Sequence, residues 1–488
     1  MTQKEMQSIL EIGTAISSEK DYNRLLEMIL NRIMELTHAD AGTLYLADGD
    51  LLRFKIMCNN TMHTCEGGDG KEPNLPPVRM SRENVCAMCY LENRTVCIEN
   101  VRTSTEYDFS GPVRYDAMTG YHPQSMLVVP MHNRQGERLG VIQLINAMDA
   151  AGNICAFPAD IIPAVESVAS QAAITIQNVL YIENIKELFE SFVRVMSSAV
   201  DERTPYNASH TRHMVEYGRH FIDYLNETAK AEGREPWFDA EHRHELLMSV
   251  WLHDIGKLVI PLEVMNKEAR LLPEQKSEIL HRFERMRLLA QIACLKGAIS
   301  GETLEKRLEE LKQAGDTILR ANTAGFCPDD LREEICRIRE KTYTEEDGSE
   351  KPWLEEEEFQ MLMIRKGTLS EKERAVMESH VVITDKLLSE IRFSKELSHV
   401  REWAASHHEL LNGSGYPEHL MAEQIPMEVR IITILDIFDA LVADDRPYKP
   451  GMPVEKALGI LDIMADKEGK LDPELTRLFR KSRCWEKD

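Results

Sequence analysis

The chain has 488 residues, 43% of them hydrophobic and 29% charged, with a net charge of −24. That length predicts about three domain-sized units, and the composition is that of a folded protein rather than a disordered tail. The charge argues against a broad nucleic-acid surface, and no apolar run approaches the roughly 18 residues of a membrane span. Ten cysteines are too sparse for a disulfide scaffold, and the start Met1-Thr2-Gln3-Lys4-Glu5-Met6 has no apolar signal core. Both features point to a reducing cytoplasm.

Ile9, Ile12 and Ile16, then Leu25, Leu26, Ile29, Leu30, Ile33 and Met34, recur at helical spacing and predict helix over the first 40 residues. Runs rich in Val, Ile, Leu and Tyr predict strands at 42–47, 51–57, 95–99, 125–131 and 139–146. Helical patterning returns near Asp160. Helix, antiparallel strands and helix describe a compact α+β sensor domain over 1–183. Cys86-Ala87-Met88-Cys89 is a CxxC, but Cys58, Cys65 and Cys97 are not at zinc-ribbon spacing, so ordinary thiols are expected.

The run Leu139-Gly140-Val141-Ile142-Gln143-Leu144-Ile145-Asn146, then Phe157 and Asp160 before a long helix, resembles a GAF domain. The resemblance implies a sensor for a small ligand of unknown identity. Cyclic-nucleotide-binding members carry an Asn-Lys…Phe…Asp-Glu pattern. Here Ala147 follows Asn146 and Ile161 follows Asp160, so a cyclic nucleotide is not expected there.

A helical linker follows at 184–200. Ile182, Ile185, Phe189, Phe192, Met196 and Ala199 are spaced 3, 4, 3, 4, 3, a heptad seam that predicts a signalling helix and a parallel homodimer. From 201 onward the pattern is nearly all helix: a bundle over 201–470, then a tail at 471–488. Residues 269–366 stand apart as a helical insertion. Leu304, Leu308 and Leu311 lie at helical spacing within it, Thr344 to Glu350 reads as a loop, and 300–358 holds 18 acidic and 9 basic residues. Such a charge run predicts a solvated face.

Within the bundle, apolar residues flank His253-Asp254, so two polar groups would be buried and would need partners. Candidate partners are His407-His408-Glu409, Asp436 in the apolar run 431–439, His210 and His213, and His380. Imidazoles and carboxylates brought together from several helices suit a dinuclear transition-metal site.

The ordered set resembles the HD-GYP family of HD phosphohydrolases, over about 201–268 and 367–470. It runs from Pro205-Tyr206 and His210 through His253-Asp254-Ile255-Gly256-Lys257, Ile260-Pro261, Asn266-Lys267, Gly367-Thr368-Leu369 and His380. It continues through His407-His408-Glu409, Gly413-Ser414-Gly415-Tyr416-Pro417, Asp436-Ile437-Phe438-Asp439-Ala440-Leu441 and Arg446-Pro447-Tyr448-Lys449. The resemblance implies an all-α HD-type bundle that hydrolyses cyclic di-GMP to pGpG, with GMP as the product of a further cut. It also implies His210, His253, Asp254, His380, His407, His408 and Asp436 as ligands of two divalent metals, iron or manganese, bridged by Asp254. Some members hold a third metal through a Glu where this chain has Tyr206, so two are expected.

Two metals about 3.5–4 Å apart supply a strong nucleophile and a sink for phosphoryl charge. Lys257 would contact the phosphate or protonate the leaving oxygen, and Asp439 would orient water or Lys257. Tyr416 and Pro417 would shape the guanine pocket, and Arg446 and Lys449 would hold the second phosphate. His213, His242, His244, His281 and His399 are expected to be surface or capping residues. Two alternatives stay open: a catalytically silent cyclic-dinucleotide receptor acting through protein partners, and a hydrolase of another cyclic nucleotide or dinucleotide. The insertion interrupts the family turn that begins at Asn266-Lys267, and it can be a lid, a regulatory arm or a passive decoration.

Overall fold

A computed structural model describes residues 13–16, 18–19, 21–68, 73–133, 135–203, 209–443 and 451–486. The expectations resting on Ile9, Ile12, Pro205, Tyr206, Arg446 and Lys449 lie outside the described residues. The chain divides into two compact units, Met1–Glu190 and Ser191–Asp488. The division falls inside the segment read as a linker.

In the first unit, helix α1 (Tyr22–Thr37) is capped by Asp21, which accepts from Arg24 N. Eight strands follow in one antiparallel sheet: β1 (Ala39–Asp48), β2 (Leu51–Asn59), β3 (Thr64–Gly67), β4 (Val78–Arg79), β5 (Val96–Ile98), β6 (Met126–His132), β7 (Arg138–Met148) and β8 (Ile154–Cys155). The order is β3-β2-β1-β7-β6-β5, with β4 paired to β2 and β8 to β7. Helices α2 (Val85–Glu92) and α3 (Ser110–Thr119) flank β5 in sequence, and α4 (Ile162–Asp201) follows β8.

The strand period of two sends alternate residues of β7 to opposite faces. Ile142 and Leu144 join Leu25, Ile29 and Ile33 of α1 and Val165, Ala169 and Ala172 of α4 in one core. Val141 joins Tyr45, Val85, Cys86 and Cys89 in a second core. Gln143 shares that second face and is satisfied there, because Tyr45 OH donates to its Oε1 at 2.9 Å. Cys86 and Cys89 are buried free thiols, and burial pushes Cys86 up to about 12. Cys58 and Cys65 face one another in the β2–β3 register and form a disulfide. This pairing departs from the expectation of ordinary thiols, because sheet register brings together two residues whose spacing carried no motif.

The second unit begins within α4. Its other helices are α5 (His210–Ala231), α6 (Ala240–Leu252), a 3-10 turn at Ile255–Leu258, α7 (Leu262–Met265), α8 (Pro273–Leu295), α9 (Gly301–Thr323), α10 (Asp329–Arg339), α11 (Glu356–Leu362), α12 (Glu371–Glu378), α13 (His380–Leu388), α14 (Val400–Ala405), α15 (Met427–Val442), α16 (Val454–Asp466) and α17 (Pro473–Ser482). Phe221, Leu225, Val250, Ile431, Leu435, Phe438 and Leu461 form the bundle core. Leu475, Phe479 and Cys484 belong to the same core, so the segment set aside as a tail packs as part of the bundle.

The insertion has its own core, with Ile279, Phe283, Ile318, Ile335, Trp353 and Leu362 among its members. A short hairpin, Thr342–Thr344 with Glu350–Pro352, interrupts its helices around the expected loop. Its two ends meet: Thr368 Oγ1 donates to Lys267 O at 3.0 Å, and Lys267 Nζ lies 2.7 Å from Glu373 Oε1. Many of its charges are paired rather than merely solvated, as in Arg285–Glu345, Arg320–Glu334 and Arg339–Glu356.

On α4, Ile182, Ile185, Phe192 and Ala199 of the expected heptad seam are exposed. Phe189 and Met196 are half-buried. The exposed apolar residues are Tyr181, Ile185, Leu188, Phe192 and Val195, spaced 4, 3, 4, 3, with Ile182 beside them. Val193, Ser197 and Val200 take the opposite, buried face. No described helix is long and apolar enough to cross a membrane.

Candidate metal centre

His253 and Asp254 were expected inside a helix. Instead α6 ends at Leu252, His253 caps it, and Asp254 opens the 3-10 turn. The turn lets the chain run tightly against α13. A Cβ on Gly256 would stand 1.9 Å from His380 O, so only glycine fits the crossing. Gly256 N donates to Thr384 Oγ1 at 3.0 Å, and that hydroxyl donates to His253 O at 3.1 Å. The crossing thus pins the segment carrying His253 and Asp254 to the helix that starts with His380.

Four imidazoles are oriented through Nδ1. His253 donates to Val250 O at 2.7 Å, His380 to Met377 O at 2.8 Å and His407 to Ala404 O at 2.7 Å. His210 Nδ1 lies 2.7 Å from Asp439 Oδ2. A carbonyl can only accept, so Nδ1 carries the proton in the first three and Nε2 offers a lone pair. Those three Nε2 atoms and Asp254 Oδ1 are buried without a hydrogen-bond partner among the described residues. Buried acceptors left unmatched are costly unless a ligand meets them.

The unmatched atoms converge on two sides of one carboxylate. Asp254 Oδ2 lies 3.3 Å from His253 Nε2 and 3.8 Å from His210 Nε2. Its Oδ1 lies 3.4 Å from His380 Nε2 and 3.9 Å from His407 Nε2. Asp436 spans the same gap, with Oδ1 3.3 Å from His210 Nε2 and Oδ2 3.7 Å from His408 Nδ1. Two groups, His210 with His253 and Asp254, and His380 with His407 and His408, each bring their ligand atoms within 4.8 Å of one another. An all-N/O donor set without thiolate fits iron or manganese. All seven residues expected to bind metal are brought together.

The electrostatics favour a cation. Burial holds His380 and His407 below the ordinary imidazole value and pushes His408 down to about 4, leaving neutral donors. Burial opposes the charge on Asp254, but Lys257 and His253 outweigh it and hold the carboxyl well below its ordinary range. Burial also lowers His210, yet Asp436 and Asp439 override it and raise that imidazole to about 10. The proton held there sits on His210 between two ionised carboxylates, and a metal ion bound at Nε2 would displace it.

Lys257 Nζ pairs with Asp254 Oδ2 from the 3-10 turn. Asp439, expected to orient water or Lys257, instead holds His210 and lies 3.4 Å from His213 Nδ1. It sits three residues after Asp436 on α15, so one helical face presents both carboxylates. His213 is therefore more than a surface residue. His242 and His399 serve Glu428 and Glu245 away from the centre. Tyr416 packs against His408 at 4.8 Å between ring centroids. Glu409, not singled out as a site residue, fixes that loop by accepting from Glu418 N at 2.7 Å and Leu420 N at 2.9 Å. Its place directly after the His pair was its only sequence signal.

The GAF domain model matches residues 21–176 and the HD domain model residues 357–475. The chain is 36% identical over 121 residues to 3'3'-cGAMP-specific phosphodiesterase 3 of Vibrio cholerae serotype O1, covering 25% of each chain. It is 40% identical over 102 residues to the cyclic di-GMP phosphodiesterase response regulator RpfG of Xanthomonas campestris pv. campestris, covering 20% of this chain and 26% of that protein. It is 36% identical over 121 residues to a cyclic di-GMP phosphodiesterase of Thermotoga maritima, covering 25% of this chain and 32% of that protein. The chain thus spans about a quarter to a third of the length of these curated relatives.

Proposed function

We propose that this chain, which joins a GAF domain to an HD domain of the HD-GYP type, is a metal-dependent phosphodiesterase that hydrolyses cyclic di-GMP to pGpG, with GMP as the product of a second cut. The observation that carries the reading is the two-sided Asp254, with unmatched imidazole nitrogens facing each of its oxygens. A closely similar reading, 3'3'-cGAMP as substrate, is favoured by the relatives that bear that name.

His210, His253, Asp254, His380, His407, His408 and Asp436 would hold two divalent ions, iron or manganese. Bound there, these ions supply Lewis acidity toward the phosphate and a nucleophilic oxygen at neutral pH. The protein's own groups do the rest. Asp439 orients His210 through Nδ1. Lys257 keeps Asp254 ionised and offers its ammonium to a phosphate oxygen or the departing 3′ oxygen. Tyr416 and Pro417 border a guanine base, and Arg446 and Lys449 are assigned to the second phosphate by sequence alone.

The GAF domain would bind a small regulatory ligand. The exposed 4-3-4-3 stripe on α4 supports a parallel homodimer. Eight free cysteines and the absence of a membrane-spanning helix among the described residues support a cytoplasmic location, with Cys58–Cys65 as the exception.

The test is anaerobic purification, metal analysis and incubation with cyclic di-GMP and 3'3'-cGAMP in parallel. Linear dinucleotide from either one is expected. Tight binding of both without turnover, at full metal occupancy, would favour the silent receptor. A monomeric mass in solution would count against the dimer.

A further inference from the structure

The end of α4 and the residues just after it grip the main chain on both segments that carry the front of the centre. Ser197 Oγ donates to Trp251 O, two residues before His253. Arg203 donates from Nη1 to Lys257 O at 2.6 Å and from Nη2 to Ile260 O at 3.2 Å. Asp201 accepts from Thr211 N at 3.3 Å and from Thr211 Oγ1 at 3.0 Å, one residue after His210. Ser197, Val200 and Asp201 are buried, so these contacts are not surface accidents.

We propose that Ser197, Asp201 and Arg203 are positioning residues for the metal centre, and that a shift or rotation of α4 changes metal affinity through them. The inference rests on reading the centre as a metal site. Three physical points carry it. A guanidinium fork holds two carbonyls at a fixed spacing, so the 3-10 turn behind Asp254 cannot slide while Arg203 stays in place. A carboxylate at the start of α5 meets the positive end of that helix, which tethers the first turn carrying His210. And α4 is one continuous helix whose earlier residues Val165, Ala169, Ala172 and Ile176 lie in the core of the sensor unit. The segments of both Asp254 and His210 are thus held by hydrogen bonds from the end of one helix, and none of these bonds touches a ligand.

The experiment uses the full chain stripped of metal. Mn2+ is titrated in, with free ion followed by electron paramagnetic resonance, and kcat and KM for cyclic di-GMP are measured alongside. Loss of an outer partner typically costs 10–100-fold in metal affinity, so Arg203→Ala should weaken Mn2+ binding roughly tenfold or more. It should also lower kcat with KM little changed. Arg203→Lys offers a point charge rather than a fork and should fall between the two. Ser197→Ala removes one hydroxyl and should show a smaller loss in the same direction. These two mild variants decide the matter if Arg203→Ala does not fold. A purely structural role would lower the melting temperature of the metal-free chain without moving the Mn2+ affinity of its folded fraction. Unchanged Mn2+ affinity in Arg203→Lys and Ser197→Ala overturns the inference alone. A wild-type chain that takes up neither Mn2+ nor Fe2+ overturns the reading of the centre, and this inference with it.

Discussion

The helical bundle and the insertion are built from the same kinds of residue, yet they treat buried charge in opposite ways. In the insertion, buried Glu358 takes two bonds from Arg282, at 2.7 and 3.1 Å, and a third from Glu355 N at 2.8 Å. In the bundle, His253, His380 and His407 are each satisfied at Nδ1 and left unmatched at Nε2. A paired buried charge closes a structure, whereas an orphaned acceptor opens a site for a ligand. Arg270 looks like an exception, since it is fully buried at the root of the insertion. Its Nε donates to Ile364 O at 3.0 Å, and its Nη1 to Ala321 O at the end of α9. Its Nη2 has no partner among the described residues, but that is a donor beside carbonyl ends rather than a metal-seeking acceptor, and a cation at a helix C-terminus is favourable, so Arg270 belongs with the structural class.

The comparison is broken most directly at Asp254. Asp254→Asn keeps the shape but removes the charge that both ligand groups face. Turnover should fall by well over about 100-fold, more than loss of an outer partner costs, and metal content should drop with it. Full metal occupancy in that variant would show that the orphaned nitrogens do not mark a metal site. Asp439→Asn is milder, because His210 loses only the group that orients it. A metal affinity lower by roughly 10–100-fold is expected, read by titration against a chelator.

The insertion should respond in the opposite sense. Glu358→Ala leaves half-buried Arg282 with Trp353 O, at 3.1 Å, and no carboxylate, which should cost less than the about 3–5 kcal/mol of breaking a fully buried pair. Hydrogen exchange should speed up across α8 to α11, while metal content and turnover per folded chain stay within about twofold. A matching loss of turnover would mean the insertion is coupled to the centre, which would favour a lid or regulatory arm over a decoration.

Most residues of the metal centre were legible in the sequence, whereas Cys58–Cys65, the Asp439–His210 contact and the groups that meet main chain were not. His253, Asp254 and Asp436 stood out as polar residues in apolar runs that demand partners, and the resemblance to the HD-GYP family singled out His210, His380, His407 and His408 with them. The four long strands β1, β2, β6 and β7 and helix α1 showed through their periodicity, and three-residue β5 lay inside the apolar run at 95–99. Strands β3, β4 and β8 are two to four residues long, too short for a period to register. Arg203, Arg270 and Glu409 work through carbonyls and amides of distant segments, which carry no residue-type signal. The heptad on α4 was legible as a repeat, with Ile182, Ile185, Phe192 and Ala199 of its seam exposed, whereas the buried face of Val193, Ser197 and Val200 carried no such signal.

The smallest expected effect lies in the sensor unit, at the CxxC. Burial raises the Cys86 thiol to about 12, and Cys89 is raised by burial and by its neighbour Cys86. The thiolate is the reactive form, so at pH 8 only about one Cys86 in 10⁴ is nucleophilic. The folded chain should therefore leave Cys86 and Cys89 unlabelled by iodoacetamide over the time in which exposed Cys97 reacts, and urea should release them. The sign for stability follows from the same shift. A folded-state value above the unfolded value of 9.0 means the neutral thiol supports folding below pH 9. That support is lost as pH rises from about 9 toward 12, so Cys86→Ala should flatten the alkaline fall in stability. Rapid labelling of Cys86 at pH 8 in the folded chain would instead assign the CxxC a redox role, and the pair would move from the structural class to the functional one.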